Sequence, residues 1–429
     1  MRRSELCVGC GACGPTALDA YGRCAPLGAT DVSAICPFSP QTPNEDEISR
    51  RRFPTATNNR AAVGRFDKCC VGHVVEPEFR AHGSSGGMAS WVAVELLRTG
   101  LVDGVAHVTP QPPLFAYQIS RNVEDVRAGA KSRYHPVTLW PILEEIRARP
   151  GRYAVVGVPC FIKAVHLLRR RDPLLHARIV FTLGLFCGHM KSAHFGESLA
   201  WQIGVRPGEL AGIDYRVKDP RRPANWYRVR ATDAAGATHE KDWMHLAGGD
   251  WGAGFFQHPA CDVCDDVVAE TADMSFGDAW VEPYASDGRG TNVVVIRSPV
   301  LLDLVGQARA QGRLRLDDVD ADFVARTQAA GLRHRREGLA YRLALRRRHG
   351  IVPRKRVTPS TDLALRRKLI YRARRRIARD SARVYLLARS LDALWLYLFW
   401  AQAAYTIYEA LAYGRGRLGA LLDRLTPRP

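Results

Sequence analysis

Residues 153–188 read YAVVGVPCFIKAVHLLRRRDPLLHARIVFTLGLFCG, and this stretch decides the fold. YAVVGV (153–158) is a short, unbroken apolar run of the kind that forms a buried strand, and Pro159-Cys160 ends it. FIKAVHLLRRR then carries its apolar residues at helical spacing, and IVFTLGLF (179–186) is a second buried strand, ended by Cys187-Gly188. Strand, helix and strand in so short a span predict a βαβ unit with parallel strands. Upstream, GSSGGMASWVAVELLRTG (83–100) predicts a Gly/Ser turn opening an amphipathic helix that stops at Gly100, and VDGVAHVTP (102–110) predicts a strand. Downstream, the pattern gives a helix around 192–203 and a turn-rich, antiparallel stretch over 212–245. A Cys261/Cys264 turn, MSFGDAW (274–280), a strand NVVVIRS (292–298) and a helix near 299–312 complete it. No internal repeat is visible.

The chain has 429 residues, 24% charged and 46% hydrophobic, which suits two or three folded units and excludes a disulfide-stapled mini-protein. Its net charge of +19 is concentrated at one end. Residues 1–330 hold 38 basic and 37 acidic side chains, whereas 331–429 hold 24 and 6. Nucleic-acid binding would have to reside in that last quarter and is disfavoured, because the larger part is electrically balanced.

Met1-Arg2-Arg3-Ser4-Glu5 runs straight into cysteines with no apolar signal segment, so the expected location is cytoplasmic, with peripheral association at the inner membrane face as a further reading. In a reducing compartment, cysteines at two-residue gaps read as metal or redox ligands.

Eleven cysteines are present. Cys7-x2-Cys10-x2-Cys13, in a loop relaxed by Gly9, Gly11 and Gly14, can wrap three corners of an iron-sulfur cubane, and Cys36-Pro37 can close the fourth. Cys24 is a weaker fourth ligand; a zinc knuckle and oxidised thiols are the competing readings. The PQTPNEDE run after Cys36 reads as a surface linker. Cys160 and Cys187 each follow a predicted parallel strand, where open α/β sheets bind cofactors, and Cys261-x2-Cys264 could complete a four-thiolate site. Lone cysteines after strands are also commonly small buried hydrophobes. Gly83-Ser84-Ser85-Gly86-Gly87 can present N–H groups and hydroxyls to a phosphate, or can be an ordinary serine-capped helix start. The G-x-G-x-x-G matches at Gly9–Gly14 and Gly414–Gly419 follow no strand and are no dinucleotide fingerprint.

Taken together, SSGG, GAKSRY, VGVPC, GLFCG, C-x2-C and DMSFGDAW, in that order over about residues 5–330, resemble the beta subunit of coenzyme F-420-reducing hydrogenase and formate dehydrogenase. The wider family includes 7-hydroxymethyl chlorophyll a reductase and one type of divinyl chlorophyllide 8-vinyl reductase. The resemblance implies a non-Rossmann FAD site beside a 4Fe-4S cluster held by Cys160, Cys187, Cys261 and Cys264. It places the flavin near Ser84, Ser85, Gly86 and Gly87, with Lys131 of GAKSRY as a cationic partner. Two departures stand out. Cys13 is followed by Gly-Pro-Thr, unlike the chlorophyll-type members, and the short hydrogenase-type subunits lack both the N-terminal cluster motif and the basic tail. The chain looks more like the bacterial branch, some of it similar to proteins associated with cell-surface polysaccharide assembly.

The expected fold is therefore α/β. A mixed, mostly parallel sheet forms a flavin domain over 60–330, a ferredoxin-like iron-sulfur segment precedes it at 1–48, and an Arg-rich helical C-terminal extension follows at 331–429. The expected cofactors are two 4Fe-4S clusters and FAD. Iron-sulfur clusters pass single electrons and flavin handles two, so the expected activity carries electrons from ferredoxin or a redox partner subunit to an organic substrate. An electron-transfer subunit without a substrate of its own is the alternative, and a binding protein with vestigial clusters is a third class. His189 and His258 are candidate proton donors or donors to sulfur, and Asp278 a flavin contact or turn residue. The apolar run 393–413 would be about 31 Å long at ~1.5 Å per residue. Gln402, Glu409 and four tyrosines argue against a membrane span and favour packing on a partner or core, or a membrane-surface helix. Homo-oligomerisation stays open.

Overall fold

The computed structural model describes residues 6–15, 17–23, 32–346 and 352–425; Cys24 lies outside them. The strands, in chain order, are β1 (Asn58–Arg60), β2 (Gly64–Phe66), β3 (Lys68–Val74), β4 (Gly104–Gln111), β5 (Leu114–Ser120), β6 (Tyr153–Gly157) and β7 (Ile179–Leu185). There follow β8 (Leu210–Val217), β9 (Arg228–Asp233), β10 (Thr238–Asp242), β11 (Met274–Asp278), β12 (Asn292–Ile296) and β13 (Leu314–Val319).

The βαβ unit forms as its sequence dictates. β6 and β7 pair in parallel, with Val155 opposite Thr182 and Gly157 opposite Gly184, and the helix Pro159–Arg169 begins at the proline, where the missing N–H had no partner to lose. Along β6, Tyr153 and Val155 face one core with the helices Trp140–Ala148 and Pro159–Arg169. Ala154 faces the other, with Met88–Arg98 and Pro299–Ala310. Helices thus cover both faces, as a sheet of continuous apolar strands requires.

The full sheet has eight strands in the order β13-β3-β12-β11-β7-β6-β4-β5. Only the centre is parallel: β11–β7, β7–β6 and β6–β4 run parallel, whereas β4–β5, β11–β12, β12–β3 and β3–β13 run antiparallel. The sheet is mixed, as expected, but it is not mostly parallel: four of its seven pairings are antiparallel. A tight turn rather than a helical crossover joins β4 to β5, and a turn can only reverse the chain. The antiparallel expectation for 212–245 is met by a separate sheet ordered β10-β9-β8.

The linker expectation after Cys36 is also corrected. Asn44 accepts the Glu47 N–H at 3.0 Å while the Glu47 carboxylate accepts the Asn44 N–H at 3.3 Å, so a capping box starts the helix Glu45–Arg52. Glu45 and Ile48 are buried by it. The N-terminal cysteine loop is no free appendage either. Leu6, Val8, Cys10, Ala12 and Phe38 join the core beneath Trp140–Ala148 and Pro159–Arg169, and the Leu139 N–H donates to the Cys10 carbonyl at 2.9 Å. Gly11 is required at this contact: its φ is +76°, and a Cβ would lie 2.0 Å from Thr138 Oγ1.

The C-terminal extension is helical and packed. The helices Leu365–Ser390 and Leu394–Tyr413 pair with each other and bury Tyr385, Tyr397 and Tyr408 against Phe255, Phe256 and Trp201. Among the described residues, no helix is long and apolar enough to cross a membrane.

Candidate functional site

The thiol that follows β6 and the first thiol of the later pair both touch Met190, with Cys160 Sγ 3.8 Å from its Sδ. Cys160 sits in the first turn after β6, and Cys187 follows β7, its N–H donating to the Val267 carbonyl at 2.9 Å. That bond draws the 261–267 loop over the strand ends. Cys261 lies in the 3-10 turn Pro259–Val263, Cys264 ends that turn, and Cys261 Sγ accepts the Met190 N–H at 3.2 Å. Burial raises the Cys160 thiol well above the ordinary thiol range, and the charges of Cys264, Cys187, Cys261 and Cys10 push it further. Burial likewise lifts Cys187 to about 11 and Cys261 to about 12. Burial also raises Cys36, and Cys7 adds to it while Lys163 opposes it.

Cys160 therefore feels four other thiols, one of which, Cys10, belongs to the N-terminal loop. None of the ten described cysteines is in a disulfide. Among the described residues, no three His, Cys, Asp or Glu stand arranged to hold one metal ion. The convergent donors are all sulfur, which suits iron-sulfur ligation, where each thiolate binds a different iron and the sulfurs spread wider than around a single ion.

Thiols that burial holds in the protonated form would need nearby positive charge to ligate as thiolates, and the extension supplies it. Arg335 is 1% exposed; its Nη2 donates to the carbonyls of Cys187 at 3.1 Å and Gly188 at 2.6 Å. Its Nε and Nη1 are buried without a hydrogen-bond partner, a state that costs on the order of 1–3 kcal/mol or more for each such group. Burial disfavours its charge, but the thiols of Cys264, Cys187 and Cys261 outweigh burial and raise its pKa above the usual arginine value. Lys355, 2% exposed at its side chain, pairs with Asp265 at 2.9 Å and lies 3.8 Å from Glu45, which also meets Lys163 at 3.1 Å. Arg356 holds Glu270 at 2.6 Å, and Arg342 Nε donates to the Asp262 carbonyl at 2.7 Å. The Cys261-x2-Cys264 turn is thus gripped from outside by the extension. An Arg run carries no mark in the sequence of which members are buried.

The two histidines do not fit the role of proton donor in this state. Burial drives His189 far below the usual histidine range, and Lys191, Arg374 and Arg335 add to it; its ring packs 4.6 Å from that of Trp251. Burial lowers His258 to about 4, and its Nδ1 accepts the Ala260 N–H at 3.1 Å. Both rings are neutral at neutral pH.

The Gly/Ser loop has a different geometry from a serine-capped helix start. Gly87 is the N-cap of Met88–Arg98, at φ +88°, where a Cβ would come within 2.6 Å of the Phe79 carbonyl. The Met88 N–H is taken by Asn292 Oδ1 at 3.0 Å, and Ser85 Oγ donates to the Thr291 carbonyl at 2.9 Å. Gly86 fits closely against β3 and β12, where a Cβ would lie 2.7 Å from the Gly72 carbonyl. Ser84 Oγ accepts the Ser132 N–H at 2.7 Å, which ties the GAKSRY loop to this one. Lys131 pairs with Asp214, and Asp278 takes Arg216 in a two-pronged contact at 3.0 and 3.2 Å.

Lys218 is the residue that sequence reading missed. Its Nζ donates to the carbonyls of Ser85 at 3.1 Å, Arg289 at 2.8 Å and Arg80. Burial, reinforced by Arg216, Arg80 and Lys131, lowers its pKa to about 7. Lys218 follows β8 directly, past a register irregularity between Asp214 and Val217, so simple alternation along the strand does not mark it. Arg80, Lys131, Arg216 and Lys218 therefore make a cationic rim around the Gly/Ser loop.

Comparison with known proteins accounts for the central part of the chain. Two family models of the coenzyme F420 hydrogenase/dehydrogenase beta subunit match: the one for its N-terminal part over residues 69–144, and the one for its C terminus over residues 151–322. The coenzyme F420 hydrogenase subunit beta of Methanosarcina barkeri (strain Fusaro / DSM 804) is 25% identical over 272 residues, covering 60% of this chain and 84% of that protein. Among solved structures, a chain of the xenon-derivatized F420-reducing [NiFe] hydrogenase complex from Methanosarcina barkeri shares the fold. Its TM-score is 0.52 at 18% identity, covering 69% of this chain and 97% of that one. The cysteine run Cys7–Cys36 and the extension beyond residue 322 lie outside the matched stretches.

Proposed function

Since the chain belongs to the coenzyme F420 hydrogenase/dehydrogenase beta subunit family, we propose that it is an iron-sulfur flavoprotein oxidoreductase carrying electrons between a one-electron donor and an organic substrate. The donor is ferredoxin or a redox partner subunit. What supports the proposal is that Cys160 and Cys261 both touch Met190, Cys160 Sγ at 3.8 Å from its Sδ and Cys261 Sγ at 3.2 Å from its N–H, while Cys264, Cys187, Cys261 and Cys10 all act electrostatically on Cys160. Iron-sulfur clusters would supply one-electron exchange and FAD two-electron chemistry at these sites.

The chain's own residues then have definite tasks. Cys160, Cys187, Cys261 and Cys264 hold one cluster, and Cys7, Cys10, Cys13 and Cys36 a second. The closeness of Cys10 to Cys160 supports a direct path between them, and that of Cys7 to Cys36 supports the N-terminal set. Ser84, Ser85, Gly86 and Gly87 shape the flavin cradle. Lys131 and Lys218 would supply positive charge to a flavin phosphate; at present Lys131 pairs with Asp214 and Lys218 with backbone carbonyls. Arg216 and Asp278 brace the wall.

A second reading, an electron-transfer subunit with no small-molecule substrate, is favoured by the relatives' names, which are those of a hydrogenase subunit and a hydrogenase complex. Anaerobically reconstituted protein is expected to be brown, with flavin absorbance and a paramagnetic iron signal on reduction. Protein that retains only zinc overturns the proposal. A flavin reduced quickly by a protein donor but indifferent to every small molecule tried selects the second reading.

A further inference from the structure

The family match ends at residue 322, yet the side chain most deeply set among the central thiols, Arg335, comes from beyond it. We infer that the C-terminal extension is a working part of the thiol centre, with Arg335 offering the unpartnered N–H groups of its Nε and Nη1 to that centre and thereby setting the reduction potential of what the thiols hold. This rests on the iron-sulfur reading above.

Arg335 is fully buried at the end of the helix Ala329–Arg335. One nitrogen, Nη2, is fixed by the carbonyls of Cys187 and Gly188, which orients the guanidinium on the thiol that follows β7. A planar fork held by one prong presents its remaining N–H groups in a set direction. Those groups, on Nε and Nη1, have no hydrogen-bond partner in the protein, sulfur included, and the groups that interact with the guanidinium most strongly are Cys264, Cys187 and Cys261, with Asp266 behind. A centre held by these cysteines would bring the sulfur acceptors that the protein alone does not offer them.

Further contacts keep the guanidinium in place. Arg342 bonds the Asp262 carbonyl inside the Cys261-x2-Cys264 turn, and Lys355 and Arg356 pair with Asp265 just after it. The extension therefore holds both the turn and the cation against each other.

The consequence is a sign. Reduction by the one-electron donor adds one electron to the thiolate-bound centre and one unit of negative charge, with no proton required. A buried cation donating to sulfur stabilises the reduced form more than the oxidised one, so it raises the potential. Arg335 is a positioning and tuning residue in this account, acting on the centre through hydrogen bonds.

The test compares the full-length wild type with Arg335→Gln and Arg335→Lys, all loaded anaerobically with iron and sulfide. Iron content is measured together with the midpoint potential, followed by the paramagnetic signal of the reduced state. Arg335→Gln is expected to keep its iron and to shift the reduction equilibrium about tenfold toward the oxidised form, a fall of ~59 mV for one electron. Arg335→Lys, which keeps the charge but not the fork, is expected to fall by less. If Arg335→Gln cannot be loaded, a loaded Arg335→Lys with a lowered potential still supports the inference. An unchanged potential in an iron-loaded Arg335→Gln overturns it alone. Loss of iron from both variants in folded protein also overturns it, because Arg335 would then only brace the Cys187-Gly188 turn. A wild type that takes up no iron overturns the inference and the iron-sulfur reading together.

Discussion

At the scale of single residues, the chemistry is governed by thiols that resist ionisation. A thiol raised to about 11 or 12 by burial binds its proton at any ordinary pH, so a cluster assembling on Cys187 and Cys261 must displace those protons with metal charge. Cys160→Ala is therefore expected to lose the iron of the central site, about half the total if both sites fill, while Cys7→Ala loses the other half; iron and sulfide per chain measure both. Lys218 gives a pH dependence. Its folded pKa, near 7, lies below that of a free lysine, so above about pH 7 the folded protein has shed this proton. A phosphate docking there must bring the proton back. Affinity for FAD is thus expected to fall as pH rises from about 7 to 9, by up to about tenfold per unit, and Lys218→Met should flatten the profile. A titration by flavin fluorescence over that range would show a pH-independent wild type if Lys218 faces no anion. The metal candidates were legible because a cysteine straight after a buried strand has a known place in a sheet. Lys218 and Arg335 were less so, since their importance lies in what surrounds them.

At the scale of elements, the extension and the short helix Glu45–Arg52 close on the same ions. Lys355 bridges Asp265 and Glu45, and Lys163 reaches Glu45 from the helix Pro159–Arg169. Removing one partner of a buried pair leaves the other charge uncompensated, so Lys355→Met should cost about 3–5 kcal/mol, read as a lowered urea midpoint. A change within ~0.5 kcal/mol would mean the pair is solvated in solution. The helix Leu365–Ser390 has a lighter attachment: Ser381 Oγ accepts the Phe256 N–H at 2.8 Å, where Phe256 sits at φ +53°. Ser381→Ala is expected to cost about 1–3 kcal/mol, since it strands a buried donor. The helices and strands of 83–312 could be read from periodicity, because apolar spacing is a local property. The helix Glu45–Arg52 was hidden by its polarity: its stability comes from a capping box and from buried ion pairs, and only the first of these is written locally.

At the scale of the whole molecule, the charge asymmetry takes on a meaning. Part of the basic excess after residue 331 is used inside the protein, on Arg335, Arg342, Lys355, Arg356 and Arg366. The rest stays outside, where Arg376, Arg379 and Arg383 line one face of a helix whose last turn carries the exposed Leu387. Leu391, Trp395 and Phe399 are also exposed at 62%, 68% and 74%, whereas Tyr385 and Tyr397 are buried. Deleting 355–429 should therefore uncover the Phe255/Phe256 core and unpair Asp265 and Glu270, and the remainder is expected to leave the soluble fraction. A truncated protein that stays soluble with unchanged flavin content would show that the extension is dispensable. By itself the sequence determined the βαβ core, the antiparallel stretch, the sulfur-rich character of the site and the family, since each depends on local periodicity or on residue types at fixed spacing. Only the tertiary structure decided that antiparallel pairings outnumber parallel ones in the sheet, and that arginines from the far end lie beside the cysteines. Those outcomes depend on which distant surfaces meet, and on how a buried charge finds its partner, which no local pattern encodes.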